Sequence, residues 1–86
     1  MVEQEVVVVP EAGIHARPIS NIVKAAKGFS ADVTVAKGER EASAKSSMRL
    51  MTLGAKQGDT VLVKADGEDE EAALAAVVEI ISSEEE

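Results

Sequence analysis

Eighty-six residues make one small domain, residues 1–86, with room for a single core. Nine Lys and Arg against sixteen Asp and Glu give a net charge of −7, and Phe29 is the only aromatic residue. This excludes a protein held by clustered cations on a nucleic-acid backbone or by stacked bases, and the absence of cysteine excludes disulfides, thiolate metal sites and thiol nucleophiles.

Glu3 to Val9 ends in four valines, whose branched side chains suit a pleated surface, so a strand is expected there. Pro10 cannot donate to a ladder and ends it, and Pro10-Glu11-Ala12-Gly13 makes a turn. Ile19, Ile22, Val23 and Ala26 fall at i, i+3, i+4 and i+7, one face of a helix that Gly28 closes in the usual role of glycine after a last turn. Asp32 to Ala36 alternates as a half-buried strand. Lys37-Gly38-Glu39 turns into a weaker strand, Arg40 to Ala44, with only Ala42 and Ala44 to point inward. Ser46 and Ser47 both suit a helix N-cap, and Met48, Leu50, Met51 and Leu53 follow in a short helix stopped at Gly54. Gly58-Asp59 turns, and Val61, Val63 and Ala65 alternate with Thr60, Leu62 and Lys64 in a fourth strand. After Asp66-Gly67, the carboxylates of Asp69, Glu70 and Glu71 crowd a helix start, where the positive end of the macrodipole favours them. Leu74, Val77, Val78 and Ile81 mark the buried face of that helix, and Glu84, Glu85 and Glu86 form a solvated tail.

The order is β-α-β-β-α-β-α. Each helix has one apolar stripe, so an α+β fold is expected in which all three helices cover one face of a four-stranded sheet, mostly antiparallel in a split βαβ arrangement. The longest apolar run, Ala72 to Val78, is far short of the ~20 residues of a membrane span, and the N-terminus lacks the basic start of a signal peptide. No membrane insertion and a cytoplasmic location are expected. The charge is unevenly placed. Residues 12–64 carry nine bases and four acids, +5, whereas the remainder holds twelve acids and no base. Chance segregation on a solvated surface accounts for that count; so does a locally positive face that docks acidic partners.

The chemistry concentrates at Gly13-Ile14-His15-Ala16-Arg17-Pro18. His15 is the only histidine, and the helix after it has Pro18 in its first turn, where N–H groups lack intrahelical partners anyway. Those N–H groups and the helix dipole form an anion site, and Arg17 adds a permanently charged planar fork suited to phosphate oxygens. A nucleophilic imidazole, an anion-binding helix start and a guanidinium this close together suit attack on a phosphoryl group, leaving a phosphohistidine. By itself the pattern also fits a histidine that caps the helix or lies on the surface. No second histidine or cysteine exists and the nearby acids are not spaced as a cage, so no metal is expected. A Ser-His-Asp hydrolase needs a cleft with an oriented base and an oxyanion hole, which a shallow sheet of this size does not clearly offer.

The segment from Gly13 to Pro18 resembles the active-site signature of the HPr family, the histidine-containing phosphocarriers of the bacterial phosphoenolpyruvate-dependent sugar phosphotransferase system. Ala44-Lys45-Ser46-Ser47-Met48-Arg49-Leu50-Met51-Thr52-Leu53-Gly54 resembles the family's second signature. Length, element order and the spacing of the two signatures also match, over residues 2 to 83. The resemblance implies an open-faced β-sandwich, four antiparallel strands with three helices on one side. It implies that His15 accepts a phosphoryl group through Nδ1 from the phosphohistidine of enzyme I and passes it to sugar-specific enzyme IIA proteins. The protein is then a monomeric carrier without cofactor or autonomous turnover, not an enzyme. Arg17 steadies the phosphate, and the Ala16 and Arg17 amides bind it. Ser46 matches a position that a dedicated serine kinase phosphorylates in some members; its plain role is an N-cap. Ser47, Met48, Arg49 and Met51 match the partner-docking patch, although the family usually carries an aliphatic residue where this chain has Ser47. Two alternatives remain: a carrier in a nitrogen-related or dihydroxyacetone-phosphorylating relay, and a non-catalytic α+β interaction module.

Overall fold

The computed structural model describes residues 1–9, 16–54 and 56–82. Seven elements follow one another: β1 (Val2–Val7), α1 (Ala16–Lys27), β2 (Asp32–Lys37), β3 (Arg40–Ser43), α2 (Ser47–Leu53), β4 (Thr60–Asp66) and α3 (Glu70–Ser82). They match the expected order. β1 ends two residues earlier than its valine run suggests. The Val8 and Val9 N–H groups leave the ladder and donate to the carbonyls of Asp59 and Ile81. The turn at 10–13 and the glutamates at 84–86 lie outside the described residues.

The four strands form one sheet in the order β1-β4-β2-β3, and every pairing is antiparallel. β4 therefore lies between the two strands that α1 joins, the split βαβ arrangement. The register sets Val6 against Val61, Val63 against Val35, Ala65 against Val33 and Val35 against Ala42. Side chains alternate along each strand, so these residues share one face, and all of them are buried. The helices cover that face alone. α3 packs on β1 and β4, α2 on β3 and β2, and α1 lies against both α3 and α2. Ile19, Ile22, Ala26, Leu50, Leu53, Val77 and Ile81 complete the core, and every buried side chain among the described residues is apolar.

One expectation needs correction, and two that hold gain detail. The buried line of α3 runs through Ala73, Val77 and Ile81, with Leu74 and Val78 half-buried at its edge. α3 is pressed against α1 as well as the sheet. Gly28 does not adopt a left-handed conformation; its N–H closes a tight turn onto the Ala25 carbonyl. Asp69 does more than face a helix dipole. Its carboxylate accepts the N–H groups of Ser30 and Ala31 at 2.9 and 2.8 Å, pinning the start of β2 to the start of α3. Glu70 instead reaches back to the Gly67 N–H at 3.2 Å. The chains approach so closely here that a side chain at Gly67 would put its Cβ 2.6 Å from the Ala31 Cα.

Candidate phosphotransfer site

α1 begins at Ala16, the residue after the only histidine. The first N–H groups of a helix have no helical carbonyl to accept them, so this end is a positively polarised terminus. His15 lies outside the described residues. The backbone of Ala16, Arg17 and Pro18 belongs to the helix, whereas their side chains are outside the described part. The chain leading to this site is held firmly. The Val8 carbonyl accepts the Gly58 N–H at 2.9 Å, and the Val9 carbonyl accepts Gln57 Nε2 at 3.0 Å.

α2 stands beside α1. Its N-cap is Ser46, in extended conformation, whose Oγ accepts the Arg49 N–H at 3.4 Å; Ser47 is already helical. Leu50 and Leu53 anchor the helix in the core. Ser47, Met48, Arg49 and Met51 all remain exposed, and the two methionines leave 78% and 61% of their surface uncovered. Between the helices runs an open groove of about 380 Å³, lined by Ile19, Ser20, Val23 and Lys24 of α1 and by Ser47 and Met51 of α2.

The electrostatics divide the molecule. α1 and α2 carry Arg17, Lys24, Lys27 and Arg49 in sequence and no carboxylate. The uncovered face of the sheet carries Glu3, Glu5, Asp32, Glu41 and Asp66 around Lys64, whose ammonium pairs with Glu41 at 3.2 Å. The cations of the positive segment that lie on helices are thus all on α1 and α2, whereas α3, on the same side of the sheet, carries Glu70, Glu71 and Glu79. Among the described residues no group of three or more His, Cys, Asp or Glu could hold a metal ion. No described helix is long and apolar enough to cross a membrane.

Sequence reasoning missed Lys37 and Arg40, which hold the far end of α2. Lys37 Nζ donates to the Gly54 carbonyl at 3.1 Å, and the Arg40 guanidinium donates to the Thr52 carbonyl at 3.1 Å. These cations satisfy carbonyls that a helix end leaves unpaired and oppose its negative pole. Lys37 also pairs with Asp59 at 2.9 Å. The Lys56 N–H first, and Lys37 second, hold the Asp59 carboxyl below its usual range. The two cations flank the short hairpin turn Lys37 to Arg40, a spacing that could have flagged them only if the hairpin were known to fold over α2.

A family model for the PTS HPr component phosphorylation site matches residues 2–83. The chain belongs to the HPr family. It is 42% identical over 81 residues to the phosphocarrier protein HPr of Haemophilus influenzae, covering 94% of this chain and 95% of that one. To the HPr of Borreliella burgdorferi it is 40% identical over 83 residues, 96% of each chain. The crystal structure of HPr-C-His from Thermoanaerobacter tengcongensis superposes with a TM-score of 0.90 at 40% identity, over 94% of this chain and 91% of that one. HPr proteins are phosphocarriers of the phosphotransferase system, and this chain has their fold: four antiparallel strands, open on one side, with three helices on the other.

Proposed function

We propose that this HPr-family protein carries a phosphoryl group on His15, taken from phospho-enzyme I and delivered to enzyme IIA proteins. The observation that carries the reading is the helix boundary: α1 opens at Ala16, one residue after the only histidine. A phosphoryl group on His15 Nδ1 would meet the N–H groups of Ala16 and Arg17, which have no intrahelical partner, and the positive pole of α1. The Arg17 guanidinium supplies a second, bidentate partner for the phosphate oxygens. Transfer is an exchange of one nitrogen–phosphorus bond for another. The Nδ1 lone pair attacks phosphorus, the bond to the donor imidazole breaks, and that imidazole leaves with its electron pair. The exchange is close to balanced, as a carrier that must both accept and donate requires. No step needs a metal or a cofactor, and residues 1–86 act as one monomeric, cytoplasmic carrier domain without turnover of its own.

The α1–α2 side suits partner docking. Ser47, Met48, Arg49 and Met51 are exposed beside the groove, and the two helices carry cations only. Ser46 is the regulatory position in this reading, as substrate of a serine kinase. The test is incubation with phosphoenolpyruvate and enzyme I. One phosphoryl group, acid-labile and base-stable, is expected on the protein and none on His15→Ala, whose circular dichroism should match the parent. Labelling of His15→Ala would remove His15 from the mechanism. An unlabelled parent would favour a non-catalytic interaction module, or a relay with another donor.

A further inference from the structure

We infer that α2 is a reversible oxidation site. The thioethers of Met48 and Met51 take up oxygen from a hydroperoxide, and the resulting sulfoxides weaken docking of the carrier on its partners. The inference rests on the docking reading above and adds a regulatory chemistry to it.

Two observations carry it. The first is exposure. Met48 and Met51 stand three residues apart, on neighbouring positions of one helical surface, and keep 78% and 61% of their area in solvent. Met51 also lines the groove opposite Ile19 and Val23, the apolar part of the α1–α2 side. The second is composition. The chain has no Cys, Trp or Tyr, so its readily oxidised side chains are the three methionines. Two of these lie on a single turn of α2, while the third, Met1, precedes β1, its terminal amine paired with Asp66 and Glu70. Met1 is exposed as well, at 71%, so it too takes up oxygen, but only the α2 pair lies on the docking side beside the groove.

The step is balanced. A sulfur lone pair attacks one peroxide oxygen, the S–O bond forms and the O–O bond breaks. The departing hydroxide takes up the proton and leaves as water. Sulfur loses two electrons, and the peroxide gains them. Before oxidation the thioethers offer a flexible, polarisable surface that can adapt to more than one partner. Afterwards each presents a strongly polar S=O group, which costs desolvation when a partner covers it. Leu50 and Leu53, the anchors of the same helix, are buried and carry no sulfur, so the fold survives the change. Methionine sulfoxide reductases restore both thioethers, which makes the site a switch and not only a lesion.

The experiment uses the full chain and hydrogen peroxide, with a chelator to suppress metal-driven attack on His15. Peptide masses report oxygen on Met48 and Met51, circular dichroism and a thermal melt report the fold, and initial rates report phosphoryl transfer from enzyme I. The KM for the carrier should rise by about five- to tenfold, with kcat changed by no more than about twofold. Treatment with both reductase types should reverse the rise. For the double variant Met48→Leu, Met51→Leu, the treated and untreated KM values should coincide, each protein serving as its own reference. An unchanged KM with both sulfoxides present would overturn the inference. So would an equal rise in the double variant, or a collapse of the melt. Those outcomes leave the phosphocarrier reading intact. Failure of untreated protein to accept phosphoryl groups would overturn that reading, and this inference with it.

Discussion

Asp69 joins two backbone N–H groups from a loop nearly forty residues away, and this single carboxylate makes stability depend on acid. The Ser30 N–H, then the Ala31 N–H, hold its pKa below the ordinary carboxylate value of 3.8. A depressed carboxyl contributes stability that is fully present above its unfolded value and is lost as pH falls through the lower folded value. Asp59 and Glu70 are shifted the same way, Glu70 first by the Gly67 N–H. Denaturant midpoints of Asp69→Asn should therefore fall below the parent at pH 7 and converge with it as pH falls through the lowered folded value, where the parent's carboxyl is protonated too. A gap that stays constant with pH would mean the carboxylate charge is not what matters. Arg17 should behave in the opposite sense, as a group tied to phosphate and not to folding. Arg17→Ala should leave the melting temperature almost unchanged and slow transfer from enzyme I by about 10–100-fold, read in single-turnover rates. In the core, Ile22→Ala should cost about 2–5 kcal/mol by denaturation, and Leu74→Ala distinctly less, because Leu74 is only half-buried.

α2 shows what an element of seven residues needs in order to exist at all. So short a helix is not stable alone, and each of its ends is tied down. Ser46 caps the start, Leu50 and Leu53 enter the core, and Gly54 turns the chain out with φ at 68°. Lys37 and Arg40 satisfy the last carbonyls. Gly54→Ala should cost about 1 kcal/mol in chemical denaturation, because a Cβ strains a left-handed residue even though open space surrounds it. A negative charge at Ser46 meets the positive pole of α2, so Ser46→Asp should fold as well as Ser46→Ala. Its transfer from enzyme I should nonetheless be slower than that of Ser46→Ala at low salt, with the difference shrinking as salt rises. Equal rates at low salt would leave Ser46 as a helix cap and nothing more.

Across the whole molecule, charge is sorted by element, with Glu70, Glu71 and Glu79 and no base on α3. Helices α1 and α2 carry cations only, and the open sheet face carries five carboxylates around one lysine. A net charge of −7 therefore conceals a cationic α1–α2 side. Enzyme I and enzyme IIA should meet that side through acidic surfaces, and the association rate should fall with ionic strength while the dissociation rate changes little. Stopped-flow association at several salt concentrations reads this directly; a flat association rate would remove steering from the account.

Much of this was legible in the residues alone. Periods of 2 and 3.6 in small apolar side chains name strands and helices, because alternate faces must be dry. Two short signatures, Gly13 to Pro18 and Ala44 to Gly54, carry the family resemblance because a helix start and its cap are local, determined by neighbours in sequence. What no local pattern could decide was where distant segments meet. The insertion of β4 between β1 and β2 is a matter of register between segments far apart in sequence. So is the tether from Asp69 to Ser30 and Ala31, and so is the reach of Lys37 and Arg40 to the end of α2. The buried line of α3 falls on Ala73 and not on Leu74, because α1 and the sheet press on that helix together. A periodicity gives the face that turns inward, but only the packing partners determine which residue on it is closest.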